Sequence, residues 1–258
     1  MSEFEKTAII IMYRRINDMF KKSVLAMVLI GAVGTVFAGT YDVVNREEAV
    51  FVLDGVADER VWDRVPAIGT FVLPWEEDVA PATVFKAYHD ADNFYFSFVL
   101  EDEDIVSAEE VDDEEGVDSL DAVHLFFAAH QIDRPVEGEL PPYYVVSVDA
   151  LGHVHDYSLV YYLRDQDNDW TFTDQQVVGR IFDNRYSVEG VIPLESFREV
   201  GLLNEDNETL FLVGVFRTDW STDGEEPRWI SWIDNLASVS ETPDVHLAAS
   251  FGRFRLAP

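Results

Sequence analysis

The stretch TVFKAYHDADNFYFSFVL, Thr83–Leu100, places apolar residues at every second position on either side of His89-Asp90-Ala91-Asp92-Asn93. Phe94, Phe96, Phe98 and Leu100 share one side of an extended chain, a period that fits a half-buried strand and no helix. The five polar residues between the two runs read as a hairpin turn. Similar runs follow along the chain: Ala122–Phe127, Tyr143–Val148, His153–Tyr161, Gln176–Phe182, Ser187–Ile192, Leu210–Phe216, Trp229–Ile233 and Phe251–Leu256. Turn signals such as Asp149-Ala150-Leu151-Gly152 and Asp183-Asn184 separate them. The pattern predicts an all-β chain folded as an antiparallel β-sandwich, jelly-roll-like, in a single domain. Pro193 opens the one helix predicted, Leu194–Val200.

The first 38 residues read differently. Lys21-Lys22 precede an apolar run, Val24 to Phe37, that ends Val36-Phe37-Ala38 before Gly39. A basic start, a short apolar stretch and small residues at its end describe a secretory signal peptide; the rival reading, an uncleaved membrane anchor, would need a longer apolar run. Met19 suits a start codon for that signal. The expected layout is therefore 1–38 as N-terminal extension and signal, and 39–258 as the sandwich. Export to the periplasm or the extracellular space follows, with no membrane attachment after cleavage. The chain has no cysteine, which excludes disulfides, thiol catalysis and a lipid anchor on cysteine.

Charge narrows the partners. The chain carries 50 Asp and Glu against 18 Lys and Arg, a net charge of −32. Lys86 is the one lysine after residue 38. Such a surface repels nucleic acid and anionic lipid, which need a basic footprint. It suits solubility in high salt, where self-repulsion is screened. Carboxylate pairs then arise by chance across the whole surface, so an acidic cluster needs a second argument before it is read as a site.

At Leu53-Asp54-Gly55-Val56-Ala57-Asp58-Glu59-Arg60-Val61-Trp62 the chain resembles carbohydrate-binding module family 9, whose members open with an apolar residue, Asp-Gly, Asp-Glu and a tryptophan. Thr83 to Asp104 resembles the next stretch of the family. Asp121-Ala122-Val123-His124-Leu125-Phe126 is similar to its Asp-x-Val-Glu-apolar-Phe. Tyr186-Ser187-Val188-Glu189-Gly190-Val191-Ile192-Pro193-Leu194 is similar to its Tyr-x-x-Glu-x-x-Ile-Pro. His246 with Ser250-Phe251-Gly252-Arg253-Phe254-Arg255-Leu256 resembles its closing segment. The order holds from about residue 50 to 256. The resemblance implies a β-sandwich, structural calcium, and a sugar held between aromatic rings without catalysis. The fold of the family carries over, but its sugar site does not. Asp118 stands where sugar-gripping members have tryptophan, His124 where they have glutamate, and Tyr144 aligns with an arginine. No tryptophan lies near His246 to form a second jaw.

Candidate residues follow from chemistry. Calcium takes six to eight hard oxygens from a fixed loop. Glu101, Asp102 and Asp104 leave one strand and Asp121 begins the next, so these four are the predicted metal set. Glu109–Glu115 reads as a solvated loop. Asp165-x-Asp167-x-Asp169 mimics half a calcium loop but lacks its glycine and its closing glutamate. Sugars need flat rings and a few polar groups. Trp75, Trp170 and Trp220 sit in polar loops and, with Arg217, His124 and Tyr144, are the ligand candidates. Trp62, Trp229 and Trp232 are assigned to plug or core, two of the three at least. His153 and His155 could share a strand face, a spacing a transition metal uses, but no third ligand is in view.

Three other function classes compete with a secreted, non-catalytic carbohydrate-binding module that stands alone or serves an exported glycoside hydrolase in polysaccharide breakdown. A glycosidase needs two positioned carboxylates, and nothing in the sequence marks a pair. No serine elbow or zinc signature appears. Haem held by Met and His fails because Met1, Met12, Met19 and Met27 all precede residue 39. A periplasmic scaffold or sensory partner without sugar binding is the alternative reading, suggested by the missing tryptophan jaws.

Overall fold

The structure is a computed structural model and describes residues 39–129, 142–160, 163–204, 209–221, 226–234 and 236–258. The predicted signal segment lies outside the described residues. Thirteen strands are described: β1 Thr40–Asn45, β2 Ala67–Ile68, β3 Thr83–His89, β4 Asn93–Glu101, β5 Ala122–Ala128, β6 Pro142–Asp149 and β7 Val154–Val160. Then come β8 Arg164–Asp167, β9 Gln176–Phe182, β10 Arg185–Pro193, helix α1 Leu194–Glu199, β11 Leu210–Asp219, β12 Arg228–Ser231 and β13 Gly252–Ala257. None of the described helices is long and apolar enough to cross a membrane.

The strands join in one curled sheet, in the order β8-β7-β6-β5-β11-β13-β1-β3-β4-β10-β9, with β12 on β11 and β2 on β3. The two halves face each other as a sandwich. Phe94, Phe96, Phe98 and Leu100 of β4 fill the space between, against Val123, Leu125 and Phe127 of β5 and Phe211 of β11. The rings of Phe94 and Phe127 meet edge to face at 6.2 Å. The predicted alternation on β4 is thus the core itself. The pairing is antiparallel except at β1, which runs parallel to both β13 and β3 and makes the sheet mixed.

Two strand faces turn away from this core and are covered as well. Phe126 and Ala128 of β5, Tyr143 of β6 and Phe216 of β11 pack under Ile233, Leu236, Val245 and Phe251. Across the other half, Trp62 and Tyr88 pack with Phe51 and Tyr95. Trp62 is the predicted plug. Its Nε1 donates to Glu189 Oε1 at 3.0 Å, and the Gly55 amide donates to Glu189 Oε2 at 3.0 Å. Gly55 has φ +77°, which the Asp54-Gly55 turn requires and side chains disfavour. The opening motif and Glu189 of the Tyr186–Leu194 motif therefore form one hydrogen-bonded unit. Burial raises the Glu189 carboxyl to about 6. Trp229 and Trp232 are half-buried against the cores, as assigned.

The curl brings the far ends of the sheet together. Gly152, in the turn before β7, meets Gly179 of β9. A Cβ on Gly179 would lie 2.5 Å from the Gly152 nitrogen and 2.7 Å from the Ala150 carbonyl oxygen. A groove opens along this seam.

Candidate functional site

Three places gather the predicted residues, and each has a different character. The first is the outer face of β5, where the resemblance puts a sugar. His124 stands opposite Ser147 of β6, and Ser147 opposite His155 of β7. His124 Nδ1 lies 2.8 Å from Ser147 Oγ and its Nε2 lies 3.0 Å from Thr218 Oγ1. The Trp229 ring covers it at 5.1 Å. Burial lowers His124 to about 4, so it is neutral and satisfied. His155 is buried too, with Nδ1 on Asp118 at 3.1 Å. The position of the missing tryptophan thus holds Asp118, itself exposed, in contact with buried His155. His124 is corrected from ligand contact to core. Tyr144 is also corrected: it pairs with Phe127 and faces the opposite side of the sheet, so the two cannot share a site.

The second place is the set of strand ends. Asp102, at the end of β4, Asp121, before β5, and Asp219, ending β11, offer carboxylate oxygens all within 4.8 Å of one another. Arg217, fully buried, donates to Asp102 Oδ2 at 2.6 Å and Asp219 Oδ1 at 2.7 Å. It also donates to the Glu101 carbonyl at 2.9 Å. Arg217 is therefore spent on the protein's own carboxylates and is not presented to a sugar. Asp121 accepts the amide N–H of Trp220 and of Val106, each at 2.6 Å. Burial nevertheless pushes Asp121 up to about 7. Burial raises Asp102 as well, opposed by Arg217. Of the predicted metal set, Asp102 and Asp121 meet; Glu101 and Asp104 stay exposed at the rim of a cleft that opens beside Arg217. Asp219 was missed, although Arg217 and Asp219 alternate on one strand face.

The third place is the seam groove, of about 870 Å³. Trp170 lines it, with its ring 4.6 Å from Tyr144 and 4.7 Å from Phe172. Tyr144 thus backs Trp170 from the core side. Beside the ring, buried Asp156 accepts from Thr171 Oγ1 at 2.6 Å and from Gln175 Nε2. Gln175 Oε1 is buried without a partner among the described residues. No sequence signal marked Asp156 or Gln175, because each is an ordinary polar residue until β7 and the β8–β9 connection come together.

The other two tryptophans do not join this groove. Trp75 donates to the Ser240 carbonyl at 3.0 Å and packs on the outer cluster, across the sheet from Trp170. Trp220 is half-buried beside Asp121, and its Nε1 is buried without a partner among the described residues. Among the described residues no ring contact links the three, so the expected aromatic platform reduces to Trp170. Asp165 and Asp167 belong to the exposed strand β8, and Asp167 accepts from the Asp169 amide at 3.1 Å. His153 lies 2.8 Å from Asp149, apart from His155's partner, so the pair makes no common metal site.

The architecture is that of an all-β sandwich of the kind seen in family 9 carbohydrate-binding modules. A candidate carbohydrate-binding protein from Bacteroides uniformis is similar at TM-score 0.59 and 15% identity, over 84% of this chain and 99% of that one. A family 9 module from Caldicellulosiruptor kristjanssonii, in complex with cellotriose, is similar at TM-score 0.54 and 16% identity, over 84% and 93%. No family profile and no curated protein matches the sequence. At these identities the likeness is one of fold.

Proposed function

We propose that this chain is a non-catalytic carbohydrate-binding domain that holds a saccharide in the seam groove, against the ring of Trp170. The observation that carries the reading is Trp170 backed by Tyr144, beside Asp156, Thr171 and Gln175. A flat ring against sugar CH faces, with carboxylate and amide groups for hydroxyls, is what such recognition needs. The fold shared with a module bound to cellotriose supports it. Titration of the intact chain with a panel of neutral and charged oligosaccharides tests it. Trp170→Ala is expected to remove at least about tenfold of affinity, the worth of roughly 1.4 kcal/mol of ring contact. A reducing-end assay on the same panel should stay blank, and turnover would end the non-catalytic reading.

The Asp102, Asp121 and Asp219 carboxylates fit a hard divalent cation. They exceed the charge of Arg217, and the fully buried Tyr186 hydroxyl nearby has no hydrogen-bond partner among the described residues. Calcium would be held by those three residues and would pin the ends of β4, β5 and β11. Export, action beside an exported glycoside hydrolase and adaptation to high salt complete the proposal. The alternative, a scaffold or sensory partner without sugar binding, is favoured by the closed layer over His124. It predicts that Trp170→Ala changes no ligand binding at all.

A further inference from the structure

The exposed carboxylates Glu114 and Asp169 line the seam groove, but acidic residues cover this chain and carry no information there. Asp156 is different. It is 4% exposed, opposite Val146 on the core face of β7, and surface solubility cannot explain it. Its bonds come from the neutral groups of Thr171 and Gln175, and among the described residues no lysine or arginine lines the groove. Among the described residues it has no ion-pair partner. Burial raises the Asp156 carboxyl, and a cation that reached it would favour its charged form. Gln175 Oε1, also buried, adds a second acceptor that no donor among the described residues serves.

Resting on the carbohydrate reading above, we infer that the groove takes an amino sugar whose ammonium group sits at Asp156 while its ring lies on Trp170. Two acceptors and no cationic donor select against uronates and sulfated glycans, whose charge would meet Asp156 directly. The ammonium would donate to the free side of the Asp156 carboxylate and to Gln175 Oε1, and the indole face would add cation–π attraction.

Calorimetry of the intact chain with a glucosamine hexamer, its N-acetylated counterpart, cellohexaose and spermine tests this. Salt at 1 M shortens the Debye length to about 3 Å and silences the diffuse pull of the acidic surface. The glucosamine hexamer is expected to bind at least about tenfold tighter than the other three, the yield of one charge-assisted bond. Asp156→Asn keeps the acceptor for Thr171, removes the charge and should bring the hexamer down to the neutral sugars. If that variant fails to fold, Gln175→Met decides instead, with a loss of several-fold expected for the hexamer. Cellohexaose binding as tightly, or a preference that survives Asp156→Asn, overturns the amino-sugar inference and leaves a neutral-carbohydrate domain standing. Spermine binding as tightly as the hexamer overturns it as well. No binding of any sugar overturns both readings.

Discussion

Asp121 carries the clearest residue-scale consequence. Its carboxyl rises from the ordinary 3.8 to about 7 through burial, against two amide bonds that oppose the rise. The folded chain therefore keeps that proton after the unfolded chain has lost it. Stability contributed by the proton is present at low pH and falls as pH climbs from about 4 to 7, by at most on the order of 4 kcal/mol. Glu189, raised to about 6, acts in the same direction. Urea unfolding of metal-free protein across this range should show the fall, and calcium should flatten it, because the cation stabilises the ionised cluster. A slope unchanged by calcium would remove the metal proposal. The sequence exposed part of this cluster: Asp102 and Asp121 flank strand ends, where ligands gather. It concealed Arg217's role, because only the curl brings Asp102 at the end of β4 up to the guanidinium that β11 sets beside its own Asp219.

At the scale of elements, the period of two announced most strands within a residue or two at each end. The strands it missed have different causes. β2 is two residues long, too short to show a period, and β8 is a polar edge with every residue exposed. β1 does bury one side, through Tyr41 and Val43, but two apolar positions are too few for a period of two to stand out. The seam is also an affair of elements. Gly152 has φ +93°, and Gly179 leaves no room for a Cβ against its backbone. Gly179→Val should part β9 from the Gly152 turn, weaken saccharide binding in the groove by about tenfold or more, and cost about 1–3 kcal/mol of stability. Parallel denaturation and binding measurements check both. A variant that loses stability yet binds normally would place the ligand away from the seam.

At the scale of the whole molecule, a net charge of −32 works against compactness and salt relieves it. Thermal unfolding in rising sodium chloride should move upward between 0.1 M and 1 M. A flat response would mean the carboxylates are already neutralised locally. The sequence by itself determined the all-β class, the buried face of β4, the turn and plug at Gly55 and Trp62, and the mismatch at Asp118 and His124. Those properties depend on neighbours along the chain or on a strand's own two faces. Only the tertiary structure decided that His124 is sealed, that Arg217 is paired, and that Trp170 meets Asp156 and Gln175. Those facts depend on which distant strands the curl brings within a hydrogen bond's length, and no local pattern encodes that distance.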